Sequence, residues 1–312
     1  MNHHFSLQPA EDTGGLPLSS GTLAGTIALQ HRERPAGTSL FDLGQLDVTW
    51  EAALGTLWTY MTPVDRPNFN RPMLRDFQRW QSEIRREFAD PTEGLKYLVL
   101  GSRFPGVFNL GGDLDLFAGF IAAGDREGLV RYGRDCVSIL HENMRRLELP
   151  IVTIALVQGD ALGGGFEAVL SFNVVVAERG SRFGLPEIAF GLFPGMGAHC
   201  LLARKVGLAK AEEMMLSNRM YSAEEMHELG LVHVLAEPGQ GEEAVRAYVA
   251  RNGRRQSGHR GIYHASSLVD PITLDELNAV VDVWADSALC LSASELKLMK
   301  RLVEAQARLA GA

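Results

Sequence analysis

Long apolar runs are missing from this 312-residue sequence; none approaches the roughly 20 residues a helix needs to cross a bilayer. Cysteine is scarce. Cys136, Cys200 and Cys290 are odd in number and widely spaced, which excludes a disulfide frame and a zinc-type pairing. They read as reduced thiols of a cytosolic protein. Basic charge is not in surplus. Lys and Arg total 30 against 38 Asp and Glu, giving a formal net charge of −8 and a pI near 5.6. That argues against a general nucleic-acid or anionic-membrane binder. The opening MNHHFSLQPAEDTGG lacks the basic-then-apolar order of a secretory leader. A soluble cytoplasmic protein is expected, with no membrane insertion and no nucleic-acid partner.

Several catalytic signatures are also missing. There is no GxSxG elbow and no P-loop. His227–Glu228 followed by His233 is not HExxH, because the second histidine comes six positions on. Ser294 and Lys297 make SxxK without its partner motifs. GGGF and GMG lack the strand, helix and acidic partner of a dinucleotide fingerprint. Arg254–Arg255 reads as a solvated loop. His199 reads as a capping or surface residue.

What is present suffices for a large core: 46% hydrophobic residues against 22% charged. Residues 1–44, rich in Gly, Ser, Thr and Pro, read as a flexible arm. Residues 45–240 read as the core and 241–312 as a C-terminal helical region. Within the core, 50–61 predicts one or two strands. Leu74, Phe77, Trp80, Ile84 and Phe88 fall at helical spacing over 73–88. A strand over 97–100, a loop over 103–112 and a helix from 114 follow, with Asp113 as the helix cap. Leu129, Cys136, Leu140 and Met144 form the stripe of a further helix. A helix over 201–216, a loop over 217–221, and a capping box at Ser222 and Glu225 come next. After a strand over 231–235 and a turn at 237–241, residues 253–261 read as basic and flexible. From 273 the chain reads as helical.

The core centres on 151–197, IVTIALVQGDALGGGFEAVLSFNVVVAERGSRFGLPEIAFGLFPGMG. Residues 151–157 are apolar and β-branched, a buried strand. Gly163, Gly164 and Gly165 let the backbone turn sharply and approach a ligand. Residues 166–170 open a helix, whose N-terminus presents unpaired N–H groups. Glu167 lies about one turn inside it, and Glu187 follows twenty positions later, with a strand over 173–177 between them. N–H donors for an oxyanion and two carboxylates suit acid–base chemistry beside a polarised carbonyl.

ALGGGFEA and FGLPEIAFGLFPGMGA resemble the core of the crotonase (enoyl-CoA hydratase/isomerase) superfamily. VFNLGGDLDLF at 107–117 is similar to its first oxyanion loop, and YSAEEMHELGLVHVL at 221–235 to its exit from the core. FNLGGDL, GLPE with FPGMGA, VWADSA at 283–288 and MKRLVEAQ at 299–306 resemble one branch, the bacterial diffusible signal factor synthases. The resemblance covers roughly 98–307. It implies an α/β fold built as a ββα spiral with a C-terminal helical region. It also implies catalytic Glu167 and Glu187 and an oxyanion hole at Gly112 and Gly164. Gly111, Leu162, Gly163, Met196, Trp284 and Leu302 become substrate-binding positions, the last two covering an acyl tunnel.

The activity implied is dehydration of a 3-hydroxyacyl carrier protein to the cis-2-enoyl form, then hydrolysis of the thioester to free acid. No metal or redox cofactor is implied; the substrate arrives as an acyl-carrier-protein or CoA thioester. A trimer or hexamer and a sensor-protein partner are implied as well. Two other readings fit the residues: a catabolic enoyl-CoA hydratase or isomerase, and a non-catalytic partner-binding protein of the same fold. Both glutamates argue against the latter.

Overall fold

A computed structural model describes residues 39–90 and 94–310, the last six as backbone only. The expected arm thus lies outside the described residues apart from 39–44. There Phe41 is buried in the main core, and Leu40 N–H donates to Val48 O.

Two sheets carry the fold. The first has the order β1 (Leu46–Glu51), β2 (Thr56–Met61), β3 (Tyr97–Ser102), β5 (Val152–Val157), β7 (Val174–Glu178), β10 (Val234–Ala236). Only β1 runs antiparallel, against β2. The second sheet has the order β4 (Val107–Asn109), β6 (Asp160–Leu162), β8 (Arg182–Gly184), β9 (Met220–Ser222). Every residue of β5 is buried, as expected of a mostly apolar strand covered on both faces; its one polar side chain, Thr153, bonds Asn173.

The sheets alternate along the chain. β3 leads to β4 and then to α2 (Leu114–Ala123) and α3 (Arg126–Met144). β5 leads to β6 and then to α4 (Gly164–Leu170). β7 leads to β8 and then to a 3₁₀ turn, Pro186–Phe190. Each unit places one strand in each sheet before a helical return, which is the α/β spiral of ββα units that the resemblance implies. α1 (Arg71–Glu87) precedes the units; its Asn70 cap accepts from Met73 N–H, and its apolar stripe buries Phe77, Trp80 and Ile84.

Four local expectations are corrected. The helix expected over 201–216 is two, α5 (Ala198–Val206) and α6 (Leu208–Leu216), divided at Gly207, whose N–H closes α5 on Ala203 O. The loop expected over 103–112 contains β4, too short to show a period, which forms because β6 lies parallel beside it. The loop over 217–221 gives way to β9, paired with β8. Residues 253–261, read as flexible, are helical, in a 3₁₀ turn and α9 (Gln256–Val269). Long-range bonds hold that polar helix: Gln256 Nε2 donates to Lys96 O and Pro150 O, and Arg146 to Tyr263 O.

Beyond these lie α7 (Ala223–Glu228), with the expected Ser222–Glu225 capping box, and α8 (Gly241–Asn252), on the first sheet. α10 (Leu274–Leu289) packs on α3 closely enough that a Cβ at Gly133 would stand 2.6 Å from Val281 Cγ1. α11 (Ala293–Ala310) lies against α2 and the Pro186–Phe190 turn. Among the described residues no helix is long and apolar enough to cross a membrane.

Candidate active site

The ends of β4 and β6 meet in backbone contact. Gly111, with φ +91°, sits where a Cβ would stand 2.7 Å from Gly164 N, so a larger residue there would force the two loops apart. Beside this contact one backbone donor on each loop is unpaired among the described residues. Gly111 N–H donates to Asn109 Oδ1 at 2.7 Å, and Asp113 N–H to the Tyr132 hydroxyl at 3.2 Å. Between them, Gly112 N–H has no acceptor among the described residues. On the other loop Gly163 N–H donates to Gly184 O at 2.8 Å, while Gly164 opens α4 with its N–H unpaired among the described residues. Both unpaired donors line one cavity.

Two carboxylates line the same cavity. Glu167, 1% exposed, is carried one turn into α4. Its Oε1 accepts the N–H groups of Met196 and Ala198, each at 2.8 Å, leaving Oε2 without a partner among the described residues. Burial raises its pKa, and the two N–H bonds partly offset the rise. Glu187 comes from the Pro186–Phe190 turn. The residue is half-buried, but its Oε2 is enclosed with no hydrogen-bond partner among the described residues. Burial raises its pKa too, and the negative charge of Glu167 raises it further. Gly163, with φ +50°, leaves room for this side chain: a Cβ there would stand 2.5 Å from Glu187 Oε1.

The remaining wall is apolar. Trp284 from α10 meets the Phe117 ring edge-on at 5.0 Å, and Phe117 meets Tyr132 likewise. Leu302 of α11 and Met196 complete the enclosure. In this setting the two carboxyl groups can hold one proton between them near neutral pH, one acting as acid while the other acts as base. The unpaired N–H groups can hold a carbonyl oxygen that gains charge.

Eight of the ten residues expected at the site line this cavity: Glu167, Glu187, Gly112, Gly163, Gly164, Met196, Trp284 and Leu302. Gly111 and Leu162 do not. Gly111 packs against Gly164 behind the two unpaired donors, and Leu162 turns its carbonyl oxygen toward Gly111, 3.0 Å from where a Cβ there would stand. The sequence reading missed Asn109 and Tyr132 as the residues that occupy the neighbouring donors. Asn109 lies inside the FNLGGDL motif; Tyr132 carries no local signal, since its hydroxyl reaches Phe69 O at 2.6 Å, sixty-three positions away. Asp113 caps α2 as expected, accepting from Leu116 N–H. Among the described residues no three His, Cys, Asp or Glu side chains cluster as a metal site would require.

Comparison with known proteins identifies the family. The family described as enoyl-CoA hydratase/isomerase matches residues 83–252, more than half of the chain. The peroxisomal fatty acid beta-oxidation multifunctional protein AIM1 of Arabidopsis thaliana is 37% identical over 163 residues, 51% of this chain and 21% of that protein. The short-chain-enoyl-CoA hydratase of Clostridium acetobutylicum is 29% identical over 57% of this chain and 65% of its own. The chain thus spans less than two thirds of either relative. Among solved structures, DspI of Pseudomonas aeruginosa is 27% identical, with a TM-score of 0.61 over 73% of this chain and 88% of that one. An enoyl-CoA hydratase/isomerase of Xanthobacter autotrophicus shares the fold at 20% identity, with a TM-score of 0.67 over 86% of this chain and 96% of that one. Two sheets wound into ββα units, a matched family profile and a pocket that joins two backbone donors to two carboxylates give one conclusion: this chain belongs to the enoyl-CoA hydratase/isomerase, or crotonase, family.

Proposed function

We propose that the protein dehydrates a 3-hydroxyacyl thioester to the cis-2-enoyl form and then hydrolyses the thioester, releasing a cis-2-unsaturated fatty acid used as a diffusible signal. The observation that carries the reading is the convergence of Glu167 and Glu187 beside two unpaired N–H groups in one apolar-walled pocket.

The acyl carbonyl oxygen lies between Gly112 N–H and Gly164 N–H. These donors favour the enolate over the ground state, each by about 3 kcal/mol. One carboxylate takes the Cα proton; the other, protonated, gives its proton to the β-hydroxyl, which leaves as water. In the second step a carboxylate deprotonates water, which adds to the carbonyl carbon. The same N–H pair holds the tetrahedral oxyanion until the C–S bond breaks and the thiol leaves with a proton.

The branch motifs FNLGGDL and VWADSA support the signal synthase, and the likeness to DspI is in keeping with that branch. A catabolic enoyl-CoA hydratase is the second reading, favoured by relatives whose names specify fatty acid oxidation. The substrate is an acyl group on carrier protein or CoA; a homo-oligomer, a sensor-protein partner and a cytoplasmic location belong to the same proposal.

Mass spectrometry of products decides between the readings. Purified protein is given a medium-chain 3-hydroxyacyl carrier protein and, in parallel, the matching CoA thioester. Free cis-2-enoic acid is the expected product. Reversible formation of trans-2-enoyl-CoA with no free acid would replace the proposal with the catabolic hydratase.

A further inference from the structure

Glu167 Oε1 draws both of its hydrogen bonds from one loop, the N–H groups of Met196 and Ala198 at 2.8 Å each. Gly197 lies between the two donors with φ +114°, a conformation that other residues rarely adopt. That turn brings two N–H groups, two positions apart, to a single oxygen atom. The same loop packs against α10. A Cβ at Gly195 would stand 2.5 Å from Trp284 Cγ, and one at Gly197 would stand 3.1 Å from Leu277 Cδ2. Leu277 and Trp284 are two helical turns apart, so one face of α10 covers both glycines. Trp284 also lines the catalytic cavity; Leu277, fully buried, does not, and packs instead with Val137, Cys200 and Val281.

α10 is itself tied down at both ends. Arg204 belongs to α5, whose first residue is Ala198. Its guanidinium forms a bidentate pair with Glu276, next to Leu277, at 2.8 and 3.0 Å, and also reaches Asp270 and Pro271 O. At the other end Arg126 of α3 holds Asp286, and Arg134 holds Asp282. The loop that serves Glu167 is thus backed by a tethered helix.

We propose that Leu277 is a positioning residue for Glu167, acting through Gly197 and the two N–H groups that flank it. The inference rests on the acid–base reading above and extends its machinery to the C-terminal helical region. Emptying the space at Leu277 lets the loop relax away from Glu167. Hydrogen bonds to a carboxylate favour its charged form, so weakening them raises the proton affinity of Glu167. The other titratable groups near Glu167 are Glu187 on the same cavity and Tyr132 and Cys136 of α3; burial holds the last two neutral. α5 reaches Glu167 through the Ala198 N–H, and α10 meets the loop with Leu277 and Trp284, neither of them titratable.

The test uses the full-length chain. The Glu167 carboxyl is titrated by infrared or NMR in the wild type, in Leu277→Ala and in Val281→Ala, which opens a space on the same helix against Gly133 of α3. The expected result is a Glu167 pKa higher by about half a pH unit or more in Leu277→Ala, no change in Val281→Ala, and recovery in Leu277→Met. On a short 3-hydroxyacyl thioester, kcat should fall about 10- to 100-fold in Leu277→Ala with KM within about threefold, the cost of misplacing a reacting group. A Glu167 that titrates in Leu277→Ala as in the wild type, or that moves equally in Val281→Ala, overturns the proposal. If Leu277→Ala does not fold, Arg204→Gln, which releases the start of α10, takes its place, and an unmoved Glu167 there overturns the proposal. A raised Glu167 in Leu277→Ala with no turnover by the wild type upholds the brace and defeats the reaction; turnover by the wild type with an unmoved Glu167 does the reverse.

Discussion

Asn109 Oδ1 accepts the N–H of Gly111 at 2.7 Å, from a side chain with no exposed surface. The bond takes one of three successive donors on the loop after β4, and Tyr132 takes the third, so the middle one, on Gly112, is left without an acceptor among the described residues. Selection among N–H groups is done by buried acceptors, not by the glycines alone.

Asn109→Ala should therefore lower kcat by about 10- to 100-fold with little change in KM for short acyl groups, because the loss falls on a donor whose removal costs about 100- to 1,000-fold. Leaving Gly111 N–H unpaired should also lower stability by about 1–3 kcal/mol. Steady-state kinetics and thermal unfolding check the two effects; a changed KM with unchanged kcat would remove Asn109 from this role.

Gly163→Ala places a Cβ 2.5 Å from Glu187 Oε1, at a residue with φ +50°. Glu187 must move, and the expected result is a loss of activity of about 100-fold or more in a protein that still folds. A crystal structure of the variant with Glu187 undisplaced would contradict this account.

Glu167→Gln and Glu187→Gln should each reduce turnover by about 100- to 10,000-fold, the span of general acid–base contributions. Each removes a group whose charge repels the other. In Glu167→Gln the pKa of Glu187 should fall, since the Glu167 charge is one cause of its elevation. Carboxyl infrared or NMR titration reads that shift; a Glu187 that titrates as in the wild type would break the coupling.

The same elevation makes stability depend on pH. Both carboxyl groups have folded-state pKa values above the ordinary value of 4.5, so the folded state binds more protons than the unfolded chain. Their protonated forms contribute stability that is whole below about pH 4.5 and is lost as pH rises through the raised values. Other carboxylates with lowered pKa values act in the opposite sense at acid pH; Glu224, held by a backbone N–H and then by Arg179, is one. The difference between wild type and Glu187→Gln isolates the site: the variant should gain relative stability from pH 5 to 8. Denaturant unfolding across that range is the measurement, and a flat difference would refute the buried-charge account.

Trp284→Ala should cost about 3–5 kcal/mol, the usual range for emptying a buried aromatic site. It removes the ring that stands against Phe117 and Gly195. Activity on short thioesters should fall as well, because water then reaches the carboxylates and their pKa values drop toward ordinary ones. Thermal unfolding combined with a pH–rate profile separates the two losses.

Sequence alone determined the parts whose signal is local. The apolar run of β5, the stripe of α1, the Ser222–Glu225 capping box and the cap of α2 by Asp113 follow from neighbours a few positions apart. So do the glycine turn and the twenty-residue spacing of the two glutamates, which carry the family resemblance. Tertiary structure decided the rest, because the deciding contacts join distant segments. β4 exists through β6, and α9 is pinned by Gln256 and Arg146. Tyr132 matters through Phe69 and Asp113, and the raised pKa values arise from burial that no stretch of residues displays. Periodicity reports which face of an element is apolar; which donor stays unpaired and which carboxylate loses its water depends on what folds against it.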